Sequence, residues 1–263
     1  MTLLQRLGDG QVLKLMSASR STPIHRLTPD DVQSLHVGHY IEELRAVGVQ
    51  LPADVRIVKS GRRPAVQHRW ISGTPLPDLA ATHPVLFTSA VRQIAAWAKD
   101  LDSSRARLDT NLANFVINPD EGLVCIDVLP PLLTDLRPPE YDDWQRLLGG
   151  LCYDTDVTVC ALAGYAARAL LAAHGADAVD HVSDLAGLCP GHTHPDRLSV
   201  RWFHIRQAAA LAALRGEIPP RSVLEVFTAT SVLRLRNTPP ATRQARLDAG
   251  LAAMRRLDLK GSL

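Results

Sequence analysis

Residues 107–127 read RLDTNLANFVINPDEGLVCID, and the spacing of the polar residues in that stretch decides how the whole chain is read. Asp109 is followed five positions later by Asn114, and Asn114 thirteen positions later by Asp127. The apolar runs Phe115-Val116-Ile117 and Leu123-Val124-Cys125-Ile126 flank Asn118-Pro119-Asp120-Glu121-Gly122, which has the composition of a tight turn. The stretch therefore predicts a loop, a strand, a turn, a second strand and a carboxylate at the strand end. Such a hairpin can bring Asp109, Asn114 and Asp127 to one edge. Without a further role it is a β-hairpin carrying three solvated polar residues.

With this spacing the chain resembles the protein-kinase-like superfamily, and within it the aminoglycoside phosphotransferase-like small-molecule kinases. Their loop is usually H-G-D-x-x-x-x-N, and that of protein kinases H-R-D-x-x-x-x-N, each followed by a metal-binding aspartate. The resemblance implies that Asp109 is the catalytic aspartate, Asn114 a metal ligand and Asp127 the main Mg²⁺ ligand. An aspartate base with an Asn/Asp pair on the metal is what kinase-type phosphoryl transfer requires. Three positions depart from the pattern: Arg107 stands where His is usual, Leu108 where Gly or Arg is usual, and Val128 where many protein kinases have Phe-Gly.

Upstream, two short apolar runs around Gly8-Asp9-Gly10 predict a hairpin. Its second run, Gln11-Val12-Leu13-Lys14-Leu15, looks like the strand whose lysine grips the nucleotide phosphates, which makes Lys14 that lysine. Little chain precedes it for the usual first strand and phosphate-covering loop. Either Gly8-Asp9-Gly10 is a reduced version of that loop or the chain starts late. Thr28-Pro29-Asp30-Asp31 is a helix start, and the helix is expected to run to about Val47 and stop before Gly48. Leu35, His39, Glu42, Glu43 and Ala46 recur on it at helical spacing. The resemblance expects Glu42 or Glu43 to orient Lys14, and Glu43 is favoured. Strand-like runs at Val55 to Val58 and Pro64 to Ile71 lead into Trp70-Ile71-Ser72-Gly73-Thr74-Pro75-Leu76. That segment resembles the linker where adenine meets backbone groups, so Trp70, Ile71 and Gly73 are expected to bind the nucleotide.

Pro84 to Leu101 reads as an amphipathic helix with Val91, Ile94, Ala95 and Ala98 on one face, delivering the chain to the Asp109 loop. After Asp127, helices are expected at Tyr141 to Cys152, Asp156 to His174, Val200 to Arg215, Ser222 to Leu235 and Ala241 to Leu257. Strands first and helices last predict an α+β, two-lobed kinase-like fold. It would have a small β-rich N-lobe over residues 1–73 and a larger helical C-lobe over 74–263 that carries the hairpin.

The chain has 263 residues, 46% hydrophobic and 21% charged, as an ordinary globular protein has. Its formal charge of +2 is too small to point to nucleic acid. Charge is nevertheless uneven: residues 135–196 hold ten acidic groups against three basic, and residues 197–263 hold twelve basic against four acidic. Solvated helix surfaces explain this asymmetry as well as a site for charged substrates does. The four cysteines show no paired spacing, as in a reduced, cytoplasmic protein. The start lacks a signal-peptide core. The apolar stretch Val157 to Ala173 contains Arg168 and reads as a buried helix rather than a membrane span. Cys189, His192 and His194 lie within six residues, but no second cluster completes a zinc set, and a loop explains them better. Neither a P-loop nor a G-x-S-x-G elbow is present.

These readings give an ATP- or GTP-dependent, Mg²⁺-requiring kinase that phosphorylates a hydroxyl of a small molecule. The acceptor would be an amino sugar or an aminoglycoside- or nucleoside-type antibiotic or metabolite, with antibiotic resistance as one setting. The partners are a nucleotide and that acceptor, without nucleic acid or membrane, and nothing signals an oligomer. The alternatives are a catalytically weak or inactive kinase-like binding module and, behind it, a nucleotidyl transferase.

Overall fold

The computed structural model describes residues 2–8, 10–16, 30–60, 63–189, 198–235 and 238–256. The fold is mixed α+β, with small antiparallel sheets and a larger helical part. It divides into two compact units, one of Met1–Leu76 with Ala96–Pro138, the other of Pro77–Ala95 with Pro139–Leu263. The expected boundary after residue 73 lies close to Leu76. The loop and hairpin, expected with the helical half, group by contact with the N-terminal strands.

In the first unit, strands β1 (Thr2–Arg6), β2 (Gln11–Met16), β3 (Arg56–Ser60) and β4 (Arg63–Arg69) form an antiparallel sheet in the order β1-β2-β4-β3. Asp9 of the expected Gly8-Asp9-Gly10 turn lies outside the described residues, as do the helix start at Thr28-Pro29 and Gly61-Arg62 between β3 and β4. Helix α1 (Asp30–Ala46) packs on β3 and β4. It ends where Gly48 takes φ +79. There the N–H of Val49 donates to Leu44 and that of Gly48 to Arg45, at 3.0 Å each. This paired closure satisfies two end carbonyls and requires a left-handed residue, which explains the stop before Gly48. The buried stripe of α1 is Val37, Tyr40, Ile41 and Leu44. The spacing Leu35, His39, Glu42, Ala46 marks the more exposed side, and Leu35 itself is exposed. The larger apolar side chains, three and four residues apart, set the face that packs.

A second small sheet joins β5 (Thr74–Pro75), β6 (Phe115–Asn118) and β7 (Gly122–Cys125). The turn between β6 and β7 is fixed by Asn118, whose Oδ1 accepts the N–H groups of Asp120 and Glu121 at 2.8 Å each. Ile71, Val116 and Val124 form the buried cluster beneath this hairpin.

Helix α2 (Leu76–Thr82) is followed by α3 (Pro84–Asp100), whose buried side includes Phe87, Val91, Ile94, Ala95 and Ala98. In the second unit α4 (Asp143–Tyr153) starts with a capping box made by Asp142 and Gln145. The chain continues through α5 (Thr155–His174), α6 (Val179–Ala186), α7 (Leu198–Leu214), α8 (Pro220–Ala229) and α9 (Pro240–Arg256). Helix α8 was expected to reach Leu235 but stops at Ala229. The Thr230 carbonyl that would continue the helix accepts Trp202 Nε1–H at 3.0 Å and an Arg206 N–H instead. Arg206 is buried among the rings of Tyr165, Phe203 and Phe227. The span Thr155–Ala186 is apolar and long enough to cross a membrane by length and composition alone. Helix α5, its first part, packs on α4, α6 and α7, and 61% of the span's most apolar window is buried, as in a core helix.

Candidate functional site

Lys14, Asp109, Asn114 and Asp127 come together within the first unit, and the backbone around them shows how. The loop before Asp109 is pinned by Arg107, whose Nη1 donates to the carbonyls of Leu101 at 2.8 Å, Ser104 at 3.0 Å and Ala106 at 2.7 Å. Its N–H donates to Leu132 at 2.8 Å. Its carbonyl accepts the Tyr40 hydroxyl at 2.8 Å. Leu108 is buried. The two departures that precede Asp109 thus hold the loop: Arg107 staples three carbonyls and Leu108 fills core.

Asp109 then folds back on its own loop. Its Oδ1 accepts the N–H of Asn111 at 3.0 Å, and Asn111 Oδ1 accepts that of Ala113 at 3.3 Å. These bonds shape a short 3-10 turn, Leu112–Asn114, that delivers Asn114 next to Asp109. The Asn114 side chain lies near enough to the Asp109 carboxylate to favour its charged form. The Asn114 carbonyl accepts the N–H of Ile126 at 2.8 Å, tying the loop to the residue before Asp127. Burial pushes the Asp109 carboxyl above the usual range and the charge of Asp127 adds to this, while the Asn111 N–H bond and the nearby Asn114 side chain oppose it. A carboxylate raised in this way is a stronger base than a solvated one.

Asp127 follows the exit of β7. Its Oδ1 accepts the N–H of Leu129 at 3.2 Å and faces Lys14 Nζ at 3.4 Å. Lys14 is buried on β2, and its ammonium also donates to the Ile126 carbonyl. Among the described residues both carboxylate contacts of Asp127 use Oδ1, so Oδ2 could meet a cation. Asn114 and Asp127 supply hard oxygen donors of the kind Mg²⁺ takes jointly with phosphate. Among the described residues no group of three or more His, Cys, Asp or Glu could hold a metal by itself. His192 and His194 lie outside the described residues, and Cys189 Sγ lies 3.2 Å from Gln207 Oε1.

Other expected residues stand differently. Glu43 is half-buried on α1, and the ion pair that Lys14 makes is with Asp127, not with Glu43. The α1 side chain that reaches the loop is Tyr40, three residues earlier, because it lies on the packed stripe and Glu43 lies beside it. Trp70 is half-exposed, its N–H donates to the Gly10 carbonyl at 2.7 Å, and Arg6 stacks 4.7 Å over its ring. Ile71 spends its side chain on the core cluster. Gly73 has φ +154, and a Cβ there would collide with the Ile117 carbonyl and lie 2.8 Å from Val116 Cγ1. Close approach of the chain to β6 is therefore a sufficient reason for glycine at 73.

Two residues at the site escaped the sequence reading. Tyr40 is buried, and burial first, then the nearby Cys125, Asp109 and Asp127, hold its phenol well above the ordinary value. It stays protonated and donates. His68 is buried on β4 within electrostatic reach of Lys14 and Asp127. Its signal was present: it sits at the inward register of a strand whose outward positions are Gln67 and Arg69. In comparisons with known proteins, no family model matches the chain and no curated protein matches it.

Proposed function

We propose that the chain is a phosphotransferase with a kinase-like fold that uses a Mg²⁺-nucleotide to phosphorylate a hydroxyl of a small molecule. One observation carries this reading: a buried lysine from a sheet strand is ion-paired at 3.4 Å to the aspartate that ends a hairpin, with Asp109 and Asn114 on the loop entering that hairpin. The strand order β1-β2-β4-β3 with a helix on one face supports the kinase-like arrangement.

In this reading Asp109 orients the acceptor hydroxyl and takes its proton, a role suited to its raised basicity. Asn114 and Asp127 hold the metal, which when bound neutralises charge on the transferring phosphoryl group. Lys14 positions the phosphates as it already positions Asp127. Tyr40 and Arg107 fix the loop that carries the base.

An inactive binding module of the same fold is the second reading. It is favoured by one specific feature: among the described residues Lys14 makes no ion pair with a helix glutamate. Calorimetric titration with ATP and GTP, with and without Mg²⁺, tests the main reading. Tighter binding with metal is expected, and equal affinity or no binding moves the binding-module reading ahead.

A further inference from the structure

His68 is a buried imidazole to which the reaction above gives no role. In the register of β2 and β4, Val12 lies opposite His68 and Lys14 opposite Val66. Side chains two apart on a strand share a face, so Lys14 and His68 sit on one face of neighbouring strands. His68 lies two residues nearer the Trp70–Gly73 linker than the cross-strand neighbour of Lys14, on the order of 7 Å along the strand. A nucleotide whose phosphates meet Lys14 would direct its base past His68 toward that linker.

The tautomer of His68 follows from its partner. Nδ1 lies 2.7 Å from the Arg69 carbonyl oxygen, which has no proton to give, so Nδ1–H donates and Nε2 keeps its lone pair. His68 is 4% exposed, and its buried Nε2 meets no hydrogen-bond partner among the described residues. Burial holds the ring below the ordinary histidine value, with the Lys14 charge adding to the effect, against the Arg69 carbonyl bond and the charges of Asp54 and Asp127. Near neutral pH the ring is therefore an uncharged acceptor. A buried acceptor without a donor is costly, and native structures supply such donors.

The backbone beside it is largely engaged. The Arg69 N–H donates to Asp54, the Trp70 N–H to Gly10, and the Ser72 carbonyl accepts Asn118 Nδ2–H at 2.7 Å. With the Arg69 carbonyl also taken, His68 Nε2 is the buried side-chain acceptor at this strand end that still has a lone pair to offer.

We propose that His68 Nε2 accepts a hydrogen bond from the exocyclic amino group of adenine and makes the site selective for adenine over guanine nucleotides. The inference rests on the nucleotide-site reading above. Adenine presents an N–H₂ donor at the ring position where guanine and hypoxanthine present a carbonyl oxygen, so the same lone pair attracts one and repels the others.

Calorimetric titration of the full chain in Mg²⁺ with ATP, GTP and inosine triphosphate tests this. ATP is expected to bind about ten-fold tighter than inosine triphosphate, the scale of one buried hydrogen bond. His68→Met removes the acceptor and should bring the ratio near one, whereas His68→Gln restores an acceptor and should keep it. Equal affinity for ATP and inosine triphosphate in the unsubstituted chain, or a ratio unmoved by His68→Met, overturns the proposal and leaves the nucleotide site standing. Failure to bind any of the three overturns both. Should His68→Met fail to fold, His68→Leu takes its place with the same expectation, and equal affinity for ATP and inosine triphosphate in the unsubstituted chain overturns the proposal without any variant.

Discussion

Lys14 Nζ stands 3.4 Å from Asp127 Oδ1 and also donates to the carbonyl of the preceding residue, Ile126. A strand near the start of the chain is thereby locked to the end of a hairpin more than a hundred residues later. Lys14 is nearly fully buried, while Asp127 keeps some solvent access. Removing the lysine therefore strands a partly solvated carboxylate and not a wholly buried one.

Lys14→Met is expected to lower unfolding free energy by about 1–3 kcal/mol, from the lost charge-assisted bonds. It should also weaken nucleotide binding. Urea unfolding and nucleotide titration check the two effects separately. A variant with unchanged stability would mean that the pair is only loosely held.

Tyr40→Phe deletes one hydroxyl and leaves the Arg107 carbonyl without that donor. A loss of about 1–2 kcal/mol is expected. Because the bond lies one residue before Leu108-Asp109, turnover should fall more than nucleotide affinity does. Thermal unfolding beside steady-state kinetics would show this, and a variant indistinguishable from the unsubstituted chain in both would remove Tyr40 from the account.

Gly73→Ala should be poorly tolerated, losing about 2 kcal/mol or more, since the added methyl meets backbone and the residue holds φ +154. Gly187→Ala is the control: its nearest neighbour would be the Asp184 carbonyl at 3.8 Å, an ordinary contact. Comparable melting shifts in the two variants would contradict the close-approach explanation.

Asp109 gives a pH-dependent test. Its carboxyl is raised in the folded chain, so the folded state holds the proton more tightly than the unfolded state does. Stability from this group is therefore present below the ordinary aspartate value and is lost as pH rises toward the folded value. Asp109→Asn, which keeps an oxygen for the Asn111 N–H, should be more stable than the unsubstituted chain at neutral pH and no more stable at about pH 3. It should also abolish turnover. Denaturant titrations at both pH values decide it; an equal advantage at both would point to another cause.

Much of this was legible because local chemistry and tertiary role agree. The Asn118–Gly122 turn and the Gly48 helix stop follow from side-chain and backbone rules acting within a few residues. The grouping of Asp109, Asn114 and Asp127 followed from spacing along a hairpin. Glu43 was harder to read. Which face of α1 packs depends on strands whose register the periodicity of Leu35, His39, Glu42 and Ala46 does not contain. Thr230 ends α8 because Trp202 and Arg206, distant in sequence, take its carbonyl. Gly73 was expected at the nucleotide, and β6 passing close by is a second reason for glycine there that the sequence alone does not show.

The central claim is phosphoryl transfer to a small-molecule hydroxyl, and product mass tests it most directly. The chain would be incubated with ATP and Mg²⁺ over a panel of amino-sugar and nucleoside acceptors, with Asp109→Ala and Asp127→Ala in parallel. The account predicts an acceptor that gains one phosphoryl group, with the gain abolished in both variants and nucleotide binding lost only in Asp127→Ala. A gain of a whole nucleotide, or no gain from any acceptor with nucleotide binding indifferent to Mg²⁺, would contradict it.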